Sequence, residues 1–133
     1  MEIIISNKTK IKIKKNKIIK LVKDISKDLK FKTNLSIMLC GDKFCRKLNN
    51  KFLKRDKVTD VISFPLNENN YLGDILINLR QVKRQAKKYN VSFNEEFKKI
   101  LIHGILHLLG FDHEKDNGEM EMLENKLQSK FQL

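Results

Sequence analysis

The stretch His103-Gly104-Ile105-Leu106-His107-Leu108-Leu109-Gly110-Phe111-Asp112-His113 holds all three histidines of the 133-residue chain. Residues four apart on a helix lie one above the other, so His103 and His107 offer two imidazoles to one metal ion. Gly110 tolerates the positive φ that commonly ends a helix, and the chain can turn there to bring His113 round as a third ligand. Three protein nitrogens leave one tetrahedral position for water, the layout of an open zinc site. The same stretch bears on the fold. From Ile100 to Leu109 the helix is apolar nearly all round, which predicts a central, buried element with its neighbours packed about it.

The spacing H-x-x-x-H-x-x-G-x-x-H resembles that of the metzincin peptidases with one change. Those enzymes carry a Glu general base directly after the first His, where this chain has Gly104. Gly104 has no side chain to accept a proton, which weighs against a zinc hydrolase acting on peptides. A closed structural site usually recruits a fourth protein ligand. One zinc ion is the expectation, although nickel or copper would also bind three nitrogens.

Outward from this helix, Ser92-Phe93-Asn94-Glu95 reads as the capping box that starts it. Before it, Leu79 to Tyr89 reads as a basic helix with Val82, Ala86 and Tyr89 toward the core. Leu72 to Asn78 and Asp60 to Phe64 read as strands, the latter stopped by Pro65, with a loop over Asn67 to Asn70. Asp42 is expected to cap a helix carrying Phe44, Leu48 and Phe52 on one face. Leu35 to Cys40 and Ile3 to Ile5 read as further strands. Ile18, Val22, Ile25 and Leu29 define a lysine-rich helix over residues 14–30. After the histidines, Asp116-Asn117-Gly118-Glu119 resembles another capped start, and Met120, Leu123, Leu127 and Phe131 form one stripe of a terminal helix. No linker or repeat divides the chain. The expectation is a single α+β domain over residues 1–133, with about four strands in a mixed sheet covered by helices.

The composition is ordinary for a globular domain, with 41% hydrophobic residues. No apolar run is long enough to span a membrane, and the N-terminus does not read as a signal peptide. Cys40 and Cys45 make no disulfide framework and read as free thiols in a reducing cytosol. The net charge is +12, from 28 Lys+Arg against 16 Asp+Glu. Such a charge attracts polyanions, nucleic acid first among them, but a lysine-rich profile also follows from an AT-rich coding bias.

Beyond the histidine block, Lys57-Val58-Thr59-Asp60-Val61-Ile62-Ser63-Phe64-Pro65 and Leu72-Gly73-Asp74-Ile75 complete a set of three blocks. From Leu48 onward the chain resembles the YbeY family of bacterial rRNA maturation endoribonucleases. The resemblance implies an α+β fold and a zinc ion held by His103, His107 and His113. It also implies single-strand-specific endoribonuclease activity in small-subunit rRNA 3′-end maturation and ribosome quality control, in the cytoplasm, with the ribosome as partner and neither membrane nor DNA. Two departures stand out. Val58 replaces the family's usual Pro, and Leu53 stands where the family usually places an Arg after the aromatic residue. Arg55 could substitute for that Arg, and Arg80 and Arg84 are further candidates for RNA contact. Asp112 could orient His113 from behind or cap the following loop. Asp60 and Asp74 lie near strand ends, and the sequence assigns no general base. A non-catalytic, metal-containing ribosome-assembly factor is the alternative reading.

Overall fold

The computed structural model describes residues 1–54 and 58–133. Arg55, expected as a substitute phosphate contact, lies outside the described residues. Along the chain run β1 (Ile3–Asn7), α1 (Lys15–Leu29), β2 (Asn34–Cys40), α2 (Asp42–Leu53), β3 (Val61–Glu68), β4 (Tyr71–Asn78), α3 (Leu79–Tyr89), α4 (Phe93–Leu108) and α5 (Glu119–Lys130). The sheet order is β1-β2-β4-β3. β1, β2 and β4 are parallel, and β3 closes one edge antiparallel to β4. The expected α+β domain with a four-stranded mixed sheet is therefore the observed one. No described helix is long and apolar enough to cross a membrane.

Strand alternation divides the core. Leu35, Ile37, Leu39, Ile75 and Ile77 join α1 and α4 in the main cluster. Met38, Cys40, Ile62, Phe64 and Leu76 point the other way, toward Cys45 and Leu48 of α2. β4 is covered on both faces, which is why Ile75-Leu76-Ile77 reads as an unbroken apolar run. α4 buries Phe97, Ile100, Leu101, Ile102, Ile105, Leu106 and Leu108. At about 1.5–3 kcal/mol for each large side chain removed from water, this helix organises the domain.

Some sequence expectations are corrected. Pro65 does not stop β3, because β3 is an edge strand and Pro65 pairs with Gly73 there. The expected loop over Asn67 to Asn70 is mostly hairpin. Asn69 and Asn70 hold φ of 51° and 61°, as a two-residue type I′ turn requires. Asn67, at φ 53°, lies where the β3–β4 register shifts, between Pro65 and Glu68. Asp42 is not the N-cap of α2. Gly41 holds that position, and the Asp42 carboxylate binds Arg84 and Asn78 instead. α2 buries Cys45 and Asn49 rather than a phenylalanine stripe, and Phe44 and Phe52 are exposed. Tyr89 is also exposed, and Leu79 joins Val82 and Ala86 in the core.

Candidate metal centre

α4 begins where the sequence places it, with Ser92 Oγ accepting from Glu95 N–H at 3.0 Å. It ends in a Schellman motif: Phe111 N–H donates to Leu106 O and Gly110 N–H to His107 O, each at 3.0 Å, with Gly110 at φ +97°. Asn67, at the β3 bulge, donates from Nδ2 to Leu108 O at 3.4 Å, so the hairpin holds the end of the histidine helix. The Gly110 turn brings His113 over His103, their rings stacked with centroids 5.3 Å apart.

The Nε2 atoms of His103 and His107 face each other at 2.9 Å. Two lone pairs that close repel, so a proton or a cation must lie between them. The Nδ1 of His103 lies 3.1 Å from Glu124 Oε1, and His113 Nε2 is 2.8 Å from the same oxygen. Donor atoms of His103, His113 and Glu124 lie within 4.8 Å of one another, a spacing fit for a metal ion. Two nitrogens bound to one tetrahedral zinc at about 2.0–2.1 Å stand roughly 3.3 Å apart, a few tenths of an ångström from the His103–His107 separation. The His103–His107 pair therefore fits one ion of the zinc type, while the three-residue group that the structure gathers is His103, His113 and Glu124, with His107 on the other nitrogen of His103. Burial first, and the facing His103 second, hold the His107 imidazole below its ordinary pKa, which favours the neutral form that ligates metals.

Glu124 escaped the sequence reading. It lies on α5 four residues after Met120 and three before Leu127, both fully buried. A carboxylate between two core positions of one helical stripe was the available signal. Gly104 explains the missing peptidase glutamate. Its carbonyl accepts from Ser63 Oγ at 3.1 Å, and a Cβ there would stand 3.1 Å from Ile75 Cγ2 and 3.2 Å from Val61 Cγ2. Position 104 backs onto the sheet and has no room for a glutamate.

Two cavities flank the histidines. One, of about 380 Å³, is bounded by Asn49, Leu53, Thr59, Asp60, Ser63 and Pro65 beside His103 and His107. The other, of about 340 Å³, is bounded by Asp60, Gln85, Glu96 and Lys99 beside His103, His113 and Glu124. Gln85 Nε2 bridges the buried carboxylate of Glu96 at 2.8 Å and Asp60 Oδ2 at 3.3 Å. Lys99, absent from the sequence-based candidates, brings a cation to this second cavity. Arg80 and Arg84 line neither cavity. Arg84 makes a two-nitrogen contact with Asp42, at 2.8 and 2.6 Å, and also donates to Gln81. Asp112 Oδ1 accepts from Glu114 N–H at 2.9 Å, the loop-capping alternative of its two readings. Asp74 points to the opposite face of the sheet from α4 and accepts from the Tyr71 and Ser36 hydroxyls.

The structure is a small α+β domain with a four-stranded mixed sheet, in which His103, His113 and Glu124 lie close enough to hold a metal ion and His107 faces His103. The model of one family, described as Endoribonuclease YbeY, matches residues 3–132. Relatives named Endoribonuclease YbeY include one from Thermodesulfovibrio yellowstonii, 45% identical over 71% of this chain and 65% of its own length. Another, from Aliarcobacter butzleri, is 49% identical over 66% of each chain. A third, from Campylobacter jejuni, is 42% identical over 75% of this chain and 76% of its own. For the first two, the matched part spans slightly less than two thirds of the relative. A solution structure from Thermotoga maritima superposes with a TM-score of 0.69 at 28% identity, covering 96% of this chain and 87% of the other. The chain belongs to the YbeY family.

Proposed function

We propose that this chain is a metal-dependent endoribonuclease that cuts single-stranded RNA, acting in the cytoplasm on the 3′ end of small-subunit ribosomal RNA and in ribosome quality control. His103, His107 and His113 are the proposed ligands of one zinc ion. The observation that carries the reading is the convergence of the His103 and His107 Nε2 atoms, with His113 brought alongside by the Gly110 turn.

A bound ion of this kind lowers the pKa of its water to about 7 and polarises a phosphoryl oxygen. The protein's own part is positioning. His103 cannot give both nitrogens to one ion. With Nε2 turned to His107, its Nδ1–H donates to Glu124, which fixes the tautomer and the ring plane. Glu124 is thus assigned the orienting role rather than a ligand's place. The cavity beside His103 and His107 is open and lined by uncharged side chains apart from Asp60, which suits a strand whose bases are splayed from a duplex. Lys99, from the other cavity, supplies a charge for the backbone, a contact that positions RNA without reading its sequence.

The test compares wild type with His107→Ala, purified identically and checked for folding, on a single-stranded rRNA-like oligonucleotide, with bound zinc measured in each. Cleavage by wild type alone, lost on chelation and restored by zinc, is the expected result. Equal cleavage by both proteins, or insensitivity to chelation, overturns the reading. If neither protein cuts while both bind the oligonucleotide, the non-catalytic assembly-factor reading replaces it.

A further inference from the structure

The end of α2 presents an apolar rim that the metal site does not use. Phe52 is 56% exposed and Leu53 45%, adjacent large hydrophobic side chains that the core does not cover. Leu53 lines the cavity of His103 and His107 together with Pro65. Phe52, one residue earlier, meets Phe64 edge to face with centroids 5.9 Å apart, and Phe64 directly precedes Pro65. The Phe64 contact fixes the Phe52 ring while leaving more than half of the residue open to solvent. The Lys51 ammonium stands 5.3 Å from the centre of that ring. An aromatic surface with a cation beside it, one residue along α2 from the side chain that lines the cavity of two imidazoles, matches the chemistry of one nucleotide: a flat base and an anionic phosphate.

We infer that Phe52, backed by Phe64 on the α2 side of the β3 edge, is a stacking platform for one unpaired nucleobase flanking the phosphate that is cut, which would enter the neighbouring cavity lined by Leu53 and Pro65. The inference rests on the endoribonuclease reading and names what selects single strands in it. A base inside a duplex is already stacked and cannot also cover Phe52, so only a splayed base gains from the contact. Leu53 fits the same picture. A leucine wall cannot hydrogen-bond a phosphate, whereas it can cover the edge of a base or the apolar side of a sugar. On this side of the site the chain therefore grips the nucleobase, and the charge for the adjacent phosphate comes from Lys51.

The experiment uses full-length, zinc-loaded protein and a single-stranded rRNA-like oligonucleotide, with cleavage kinetics and fluorescence-anisotropy binding followed in parallel. Phe52→Ala is expected to raise KM about 5- to 100-fold, as loss of one stacked base does elsewhere. Zinc content should stay as in wild type, and loss of the Phe64 contact should lower the thermal midpoint by no more than a few degrees, which leaves the protein folded. Phe52→Tyr should restore KM to within about threefold, whereas Phe52→Leu, apolar but without a ring, should not. On an oligonucleotide made abasic at the contacted position, wild type and Phe52→Ala should become equal. An unchanged KM in Phe52→Ala, full rescue by leucine, or a penalty that persists on the abasic strand each overturns the platform. If wild type binds but does not cut, the endoribonuclease reading fails while binding still decides the platform: weaker binding by Phe52→Ala supports it, and unchanged binding removes it.

Discussion

A single added methyl at position 104 would press on the γ2 methyls of Ile75 and Val61, both β-branched and stiff about χ1. Overpacking costs about 1–3 kcal/mol and the helix gains about 1 kcal/mol from losing a glycine, so Gly104→Ala should be less stable in urea unfolding by up to about 2 kcal/mol. A variant about 1 kcal/mol more stable than wild type, the full helix-propensity gain, would show that the helix and sheet have slack between them. Glu124 makes a prediction of a different kind. Glu124→Gln keeps an acceptor oxygen but removes the charge that orients His103. Loss of such an orienting partner typically costs about 10–100-fold in metal affinity, measured by competition with a zinc chelator. If Glu124 were instead a direct ligand in place of His107, Glu124→Gln would abolish zinc binding and His107→Ala would spare it. At this scale the approach of His107 and His113 to His103 was legible because their spacing is a local geometric fact. Glu124 was not, because its meaning depends on α5 packing back across α4. The glycine replacing the peptidase glutamate was visible in the sequence, but its cause, the approach of β3 and β4, was not.

Among the elements, the segment joining α4 to His113 shows how a backbone turn builds a site. A Cβ at position 110 would meet nothing within 4 Å, so Gly110→Ala isolates the strain of φ +97° from any clash. The expected loss is about 1–2 kcal/mol of stability. Zinc affinity should also be weakened, because relaxing the turn displaces His113 from His103. Retained affinity would show that His113 reaches the ion without this turn. The start of α2 is set electrostatically. The Arg84 hydrogen bonds, assisted by Asn78 and opposed by partial burial, hold the Asp42 carboxyl down at about 2 against an ordinary value of 3.8. A carboxylate held low in the folded state stabilises wherever it is ionised, and that stability is lost as the pH falls through about 2. Both side chains are more than a third exposed, so solvent screening reduces the contribution to about 1 kcal/mol. Asp42→Asn should thus be about 1 kcal/mol less stable at neutral pH, and the gap should close as the pH drops from 4 through 2. A gap independent of pH would assign the loss to the helix end itself. The elements themselves were largely readable from periodicity and from the Ser92 capping box. The β3–β4 hairpin was misread because Pro65 is a breaker only in a strand paired on both sides, and edge status is a property of the whole sheet.

Across the whole molecule, 28 basic side chains face 16 acidic ones, but charge alone says little about where RNA lies. The arginines show why: Arg84 is held by Asp42 and lines neither cavity beside the histidines, whereas Lys99 lines one of them. Salt separates the two kinds of contact proposed for the RNA. Each phosphate neutralised on a single strand steepens the fall of log K against log salt by about 0.7, because a condensed counterion is released. Stacking a base on Phe52 releases no counterion. Anisotropy titrations between about 50 and 200 mM salt should therefore give parallel lines for wild type and Phe52→Ala, displaced by the full stacking penalty. Lys99→Gln should give a shallower line that converges on wild type at high salt, since what it loses is screened there. Arg84→Ala should leave the slope unchanged, because its guanidinium is already committed to Asp42. A shallower line for Phe52→Ala would mean that the ring serves only to hold Lys51 against a phosphate. A shallower line for Arg84→Ala would mean that RNA displaces Asp42 from its guanidinium, making the basic face of α3 part of the binding surface.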